Sequence, residues 1–299
     1  MIDFSSKHNI LIQNRDNGVL RPMDAPFFES HLIAEGVWQI LSDGDLSYLV
    51  EGTTEAIVID SGYGAGDIRA FCQQLTTRPV RRILNTHDHF DHTANNSYFE
   101  TALMAEKTVP LATIPFPSFA GIDFPRDYPK QIIGAGEVID LGGRQLNVFA
   151  VPDHAVGSLA FLDKQSRILF CGDEVTPLGK IINGRVSDVY HQFQKVMAVR
   201  DQFDWLCSGP QAMLPATMFD VIYHDLAAIL NTGAGTAFDE FPLHFKPELV
   251  RDDVSQPVYI RQAARPEDQQ LAAQPDNQAY QRVLVHDNFM TMYDCRYIQ

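Results

Sequence analysis

The sequence predicts an α/β protein, and three observations predict it. A strand–helix–strand succession runs from "EAIVIDSG" (55–62) through the helically spaced "DIRAFCQQL" (67–75) to "RRILNTH" (81–87). Further strand patterns follow in "EVIDLGG", "RQLNVFAVPDH" and "GSLAFLDKQSRILFCGDE", separated by tight Gly and Asp turns. Polar residues then gather where the strand "RRILNTH" ends, in "LNTHDHFDHTANN" (84–96), and strand C-terminal ends are where α/β proteins place their sites.

The elements follow in order. "VWQILSDGDLSYLV" (37–50) reads as two short strands around an Asp-Gly turn. In 67–75, Ile68, Phe71, Cys72 and Leu75 share one helical face. "HTANNSYFE" reads as the start of a helix. From Lys107 to Lys130 the pattern breaks, because Pro110, Pro115, Pro117, Pro125 and Pro129 exclude regular interior structure. With Phe116, Phe119 and Phe124 interleaved, this irregular insertion (107–130) reads equally as a lid over a site and as a surface connector or subunit contact. Residues 187–203 and 216–231 read as helices flanking a last core strand, "WLCSGP". Beyond Thr232 the chain turns polar and turn-rich, with Gln-rich patches across 263–279 between the strand-like "QPVYIRQ" and "YQRVLVHDNFMTMYDC". The organisation expected is a main domain over 1–232 and a C-terminal extension, 233–299, packed on it.

Composition narrows the function. In 299 residues, hydrophobic content of 45% and charged content of 20% fit a folded chain with a large core. A net charge of −15, with Lys and Arg scattered, argues against nucleic acid and acidic membranes as partners. A small-molecule substrate is expected, and homo-oligomerisation is left open. Cys72, Cys171, Cys207 and Cys295 form no C-x-x-C pair, so neither a thiolate metal cage nor a disulfide framework is expected. The start shows no uninterrupted apolar run of signal-peptide type, and the expected compartment is the cytoplasm.

Three of the ten histidines, His87, His89 and His92, fall within six positions beside Asp88 and Asp91. An H-x-H-x-D-H run arises by chance in roughly one random chain of this length in a thousand. Imidazole and carboxylate donors suit zinc, iron or manganese. His87 and His89 alternate in extended chain and can reach one ion from the same side. Asp91 and His92 fall where the chain turns and can face a neighbouring position. "VPDHAVGS" adds His154 after a strand, and "LFCGDE" adds Asp173 after a buried strand and a Gly.

Together "THDHFDH", "PDHAVGSLAF" and "FCGDE" resemble the metallo-β-lactamase superfamily over about residues 31–232. The resemblance implies a four-layer αββα sandwich with metals at one edge of its two sheets. It implies that His87, His89 and His154 hold a first ion, that Asp91 and His92 hold a second, and that Asp173 bridges them. Zinc is the first expectation, one ion or two, with iron or manganese as alternatives. One position departs from the family: the last core strand runs into "DWLCSGPQAML", and Pro210 stands where a family motif resembling P-G-H-G supplies a His ligand. Three outcomes are open there. The second ion is held weakly by Asp91, His92, Asp173 and water; or Gln211, His191, His224 or His244 substitutes; or one ion serves.

The activity implied is metal-dependent hydrolysis of a small ester, lactone, thioester or phosphoester, with Asp91 orienting the attacking water and taking its proton. Two alternatives come from other classes. One is a mononuclear iron oxygenase of the sulfur-oxidising branch, using His87, His154 and Asp173; the other is a non-catalytic metal-binding or sensing protein. Metal content separates the three.

Overall fold

A computed structural model describes residues 28–42, 45–63, 66–116, 124–238, 279–287 and 289–299, with the backbone of 11–14, 20–22 and 259–260. The Asp-Gly turn at 43–44, Phe119, His244 and nearly all of the Gln-rich stretch lie outside the described residues.

Strands β1 (Leu11–Asn14) and β2 (Leu20–Pro22) pair as a hairpin. Seven strands then form the first large sheet in chain order: β3 (Glu29–Ala34), β4 (Val37–Ser42), β5 (Asp45–Glu51), β6 (Ala56–Ile59), β7 (Val80–Leu84), β8 (Thr101–Met104) and β9 (Lys130–Ile132). Neighbours are antiparallel from β3 to β6 and parallel from β6 to β9. Helix α1 (Ile68–Gln73) makes the β6–β7 crossover, capped by Asp67, and the single turn α2 (Phe90–Thr93) follows β7.

The second large sheet begins with β10 (Val138–Asp140), β11 (Gln145–Ala150), β12 (Leu159–Asp163) and β13 (Ile168–Phe170), antiparallel from β10 to β13. The chain leaves it through β14 (Gly179–Ile181) and helix α3 (Val186–Met197). It returns as β15 (Trp205–Cys207), parallel to β13, and β16 (Leu214–Pro215), before helix α4 (Thr217–Thr232). β17 (Thr236–Ala237) follows, and β18 (Tyr259–Ile260) pairs with β1. The last strands, β19 (Gln281–Val285) and β20 (Met290–Asp294), join β14 and β17 in a four-stranded sheet.

The strands are apolar on both faces because both faces are covered. Ile57, Ile59, Leu84 and Leu103 point inward to meet Val148, Phe161, Ile168 and Phe170 of the second sheet. Their neighbours Ala56, Val58, Ile83 and Ala102 point outward onto Ile68 and Cys72 of α1. On the far side, Leu162, Leu169 and Leu206 pack against Val189 and Phe193 of α3 and Phe219, Ile222 and Leu226 of α4. The layers are therefore α, β, β, α. Each large side chain so buried contributes about 1.5–3 kcal/mol. A buried guanidinium clamps the sheets: Arg144, paired with Asp163 of β12, donates to the carbonyls of Glu35, Gly36 and Glu51 in the first sheet. The C-terminal residues are tied in by Asp225 of α4, which accepts from Thr291 at 2.6 Å and contacts His286 at 2.8 Å.

Two expectations change. The helix expected from "HTANNSYFE" is one turn of four residues followed by a 3₁₀ turn at Asn96–Tyr98. Polar side chains redirect the chain there. Asn95 donates its N–H to Ser61, Asn96 exchanges hydrogen bonds with Asn85, and Thr93 is held by Thr113. The helix expected over 187–203 ends at Met197. In the Pro-rich insertion, the described residues before Lys130 hold neither helix nor strand, but they are packed. Phe124 is buried against Phe90, and Arg126 donates to the carbonyls of Pro110 and Ala112.

Candidate metal centre

β7 ends at Leu84, and the next residues carry the imidazoles across the edge between the sheets. His87 and His92 are fully buried. The rings of His87, His89 and His154 lie 4.6, 5.0 and 4.7 Å apart, nearly edge to face. Three groups of donors emerge, each with ligand atoms within 4.8 Å of one another: His87, His89 and His154; His87, His92 and Asp173; and Asp45, Asp91 and His92. His87 and His92 link the groups into one chain of donors.

Asp60 fixes the imidazoles. It ends β6 with a left-handed backbone (φ 58°), which a short polar side chain tolerates. One carboxylate oxygen accepts the Thr86 N–H at 2.8 Å; the other accepts the Thr86 hydroxyl at 2.7 Å and contacts His92 Nδ1 at 2.9 Å. The Thr86 hydroxyl has then spent its proton, so it accepts from His87 Nδ1–H at 3.0 Å. His87 is thereby held with a bare Nε2 turned into the site, and His92 with its Nε2 toward Asp173. A carboxylate behind a ligating imidazole is the arrangement that sets its tautomer. Gly172, at φ 51°, permits this approach: a Cβ there would lie 2.5 Å from the Thr86 hydroxyl.

The second sheet supplies the remaining donors. His154 leaves β11 on a loop whose N–H groups at Asp153 and His154 both donate to Glu174 Oε1, at 3.0 and 2.8 Å. Glu174 is itself held by Lys180, which bonds Glu174 and Asp153 at 2.6 Å each, all three side chains being buried. Asp173, on the turn after β13, faces His92 Nε2 at 3.6 Å and His154 Nε2 at 3.8 Å.

The donor set fits a small divalent cation. Nε2 of His87 and of His92 and Oδ1 of Asp173 are buried and accept or donate no hydrogen bond among the described residues, a costly state unless a ligand completes it. Burial, with His92, His89 and His154 around it, pushes His87 well below the usual imidazole range, so it is neutral. Burial, then His154, also lowers His89. Burial would lower His92 as well, but the carboxylates of Asp173 and Asp60 outweigh it and raise His92 well above that range. Burial likewise opposes the ionised form of Asp173, yet His92, then His154 and His89, hold its carboxyl at about 2. The carboxylates of Asp60 and Asp173 thus bracket a protonated His92, with neutral His87 beside it.

All six residues expected from the sequence meet here. His191 and His224 are exposed on α3 and α4 and enter none of the donor groups. Gln211 spends its backbone on a turn with Ser208. Cys207 is core. Sequence reading missed Asp60, Thr86, Glu174, Lys180 and Asp45. Asp60 had a signal, a carboxylate closing a buried apolar strand; the partners of Lys180 had none.

Comparison with known proteins agrees with this geometry. Residues 44–228, more than half of the chain, match the family model described as the metallo-beta-lactamase superfamily. The acyl-coenzyme A thioesterase MBLAC2 of Gallus gallus is 30% identical over 188 residues, 52% of this chain and 67% of that protein. A hydroxyacylglutathione hydrolase of Rhodospirillum rubrum is 28% identical over 167 residues, 54% of this chain and 60% of that protein. Among solved structures, a metallo-beta-lactamase from Pontibacter korlensis superposes with a TM-score of 0.52 at 17% identity, over 67% of this chain and 99% of that one. Among the described residues no helix is long and apolar enough to cross a membrane. The chain belongs to the metallo-beta-lactamase superfamily.

Proposed function

We propose that this metal-dependent hydrolase cleaves thioesters of a small carrier thiol, with His87, His89 and His154 holding a first zinc-type ion and Asp91, His92 and Asp173 facing a second. The observation that carries the reading is the set of three convergent imidazoles, one with its tautomer fixed by the Asp60–Thr86 relay. When bound, such an ion polarises the carbonyl under attack and acidifies water. The chain's own residues do the rest. Asp60 and Thr86 keep His87 Nε2 bare, Glu174 sets the position of His154, and Asp91 orients the attacking water and takes its proton. A thioester is favoured by the likeness to an acyl-coenzyme A thioesterase and a hydroxyacylglutathione hydrolase. A cavity of about 390 Å³ supports an acyl substrate: Ile132, Ile133, Ala150, Val156 and Leu159 line it, and Val156 lies on the loop that also carries His154. Four free thiols support placement in the cytoplasm.

The test is thiol release from acyl-coenzyme A thioesters of several chain lengths and from hydroxyacylglutathione, against an oxygen ester and a phosphodiester, with and without chelator. Chelator-sensitive thioester cleavage at the highest kcat/KM is expected. A preference for the phosphodiester or the oxygen ester overturns the substrate class; metal-loaded protein inert on all four overturns hydrolysis.

Two further results are expected. Asp60→Asn replaces one accepting oxygen by a donor facing Thr86 and His92, and weakens divalent-ion binding by about 10–100-fold, read by isothermal titration. Unchanged affinity would show that the relay is dispensable. Metal binding also has a pH dependence with a defined sign. The His92 proton, retained at neutral pH, must leave before Nε2 can ligate, whereas neutral His87 loses none. Affinity at the second position therefore falls as pH falls, with about one proton released per ion near neutrality. Titration in buffers of different ionisation heat measures it, and zero release removes His92 from the ligands.

A further inference from the structure

We propose that Asp45 takes the ligand place left by Pro210, so that the second ion is held by Asp45, Asp91 and His92, with Asp173 between the two ions. This rests on the metal assignment made above.

The chain at 208–210 runs directly past the second position. A Cβ on Gly209 would lie 2.5 Å from Asp173 Oδ1 and 2.8 Å from His92 Cε1, so only backbone fits there. Pro210, next in line, is exposed and carries no donor atom. The start of β5 is stitched to this turn. Leu46 donates its N–H to the Gly209 carbonyl at 2.7 Å, and the Tyr48 hydroxyl donates to the Ser208 carbonyl at 2.5 Å. That seam carries Asp45, the first residue of β5, to the same edge. Its carboxylate, that of Asp91 and an imidazole nitrogen of His92 lie within 4.8 Å of one another. Independently, His92 Nε2 is fully buried with no hydrogen-bond partner among the described residues.

The substitution changes the chemistry of the site. The first position is built from three imidazoles, the second from carboxylates and one imidazole. Hard oxygen donors favour manganese over softer competitors relative to an all-imidazole site. Three carboxylates also set three negative charges against the four positive charges of two divalent ions, where Asp91 and Asp173 alone set two.

The experiment is elemental analysis of full-length wild type, Asp45→Asn and Asp45→Ala after equilibration with Zn²⁺ or Mn²⁺ and gel filtration, with paramagnetic resonance of the manganese form. Thermal melts of the metal-free proteins serve as a folding control. Wild type should hold two ions per chain and give the spin-coupled signal of a manganese pair. Both variants should keep one ion, bind the second at least about 10-fold more weakly, and lose the coupled signal while melting as wild type does. Two ions held equally well by the variants, or one ion in wild type, overturns the role of Asp45 alone. Variants that lose both ions or melt early make Asp45 structural and overturn it too. No ion in wild type overturns both this proposal and the metal assignment beneath it.

Discussion

His87→Ala combined with His89→Ala is expected to abolish binding of the first ion and to lower thioester hydrolysis by about 10³-fold or more. The two residues supply two of the three imidazoles in the first donor group, and His87 is also a member of the group that includes His92 and Asp173. A single preorganised electrostatic contact in a hydrolytic site is worth about 10²–10³ in rate, and the double variant removes an entire ion. The fold should survive. The cost is a buried cavity and the loss of the Thr86 hydroxyl's second partner, about 1–3 kcal/mol. Elemental analysis and thiol-release rates read the result together. Unchanged metal content in a folded double variant would end the hydrolase reading, because no other described group offers three imidazoles.

Lys180→Met is expected to cost about 3–5 kcal/mol of stability. Lys180, Asp153 and Glu174 are all but completely buried, and the ammonium is 2.6 Å from each carboxylate. Burial opposes the charged form of Lys180, and the carboxylates of Glu174 and Asp153 outweigh that to raise it. Without the ammonium, two negative charges share a dry space. The damage reaches the centre, because Glu174 Oε1 accepts the N–H groups of Asp153 and His154. First-ion affinity should therefore fall with stability. Combining Lys180→Met with Asp153→Asn and Glu174→Gln should recover much of the stability, since the penalty comes from unpaired charge. Urea denaturation measures both. A loss under about 1 kcal/mol for Lys180→Met shows that the triad is not a closed ion cluster.

Much of this architecture is legible in the sequence because both sheets are buried on both faces. "AIVI", "LAFLD" and "ILF" read as strands without ambiguity, and their turns carry Gly or Asp. Four donors were legible because one strand end presents them consecutively, and His154 and Asp173 because each follows its own apolar strand. What escaped is what depends on encounters between distant segments. Asp45 looks like a turn residue until β5 is seen bonded to Gly209, and Lys180 sits in "PLGKII" with nothing nearby to announce two buried carboxylates. The helix after His92 was overestimated because its asparagines bond to Ser61 and Asn85, partners that no local pattern exhibits.

The donors come from both halves of the sandwich: His87, His89, Asp91 and His92 follow a strand of the first sheet, His154 and Asp173 strands of the second. A cation held by donors of both sheets, as proposed above, would staple the seam, and its binding free energy would count toward keeping the halves docked. Under the proposed metal assignment, cellular metal supply would then govern how long the folded molecule lasts as well as how fast it turns over.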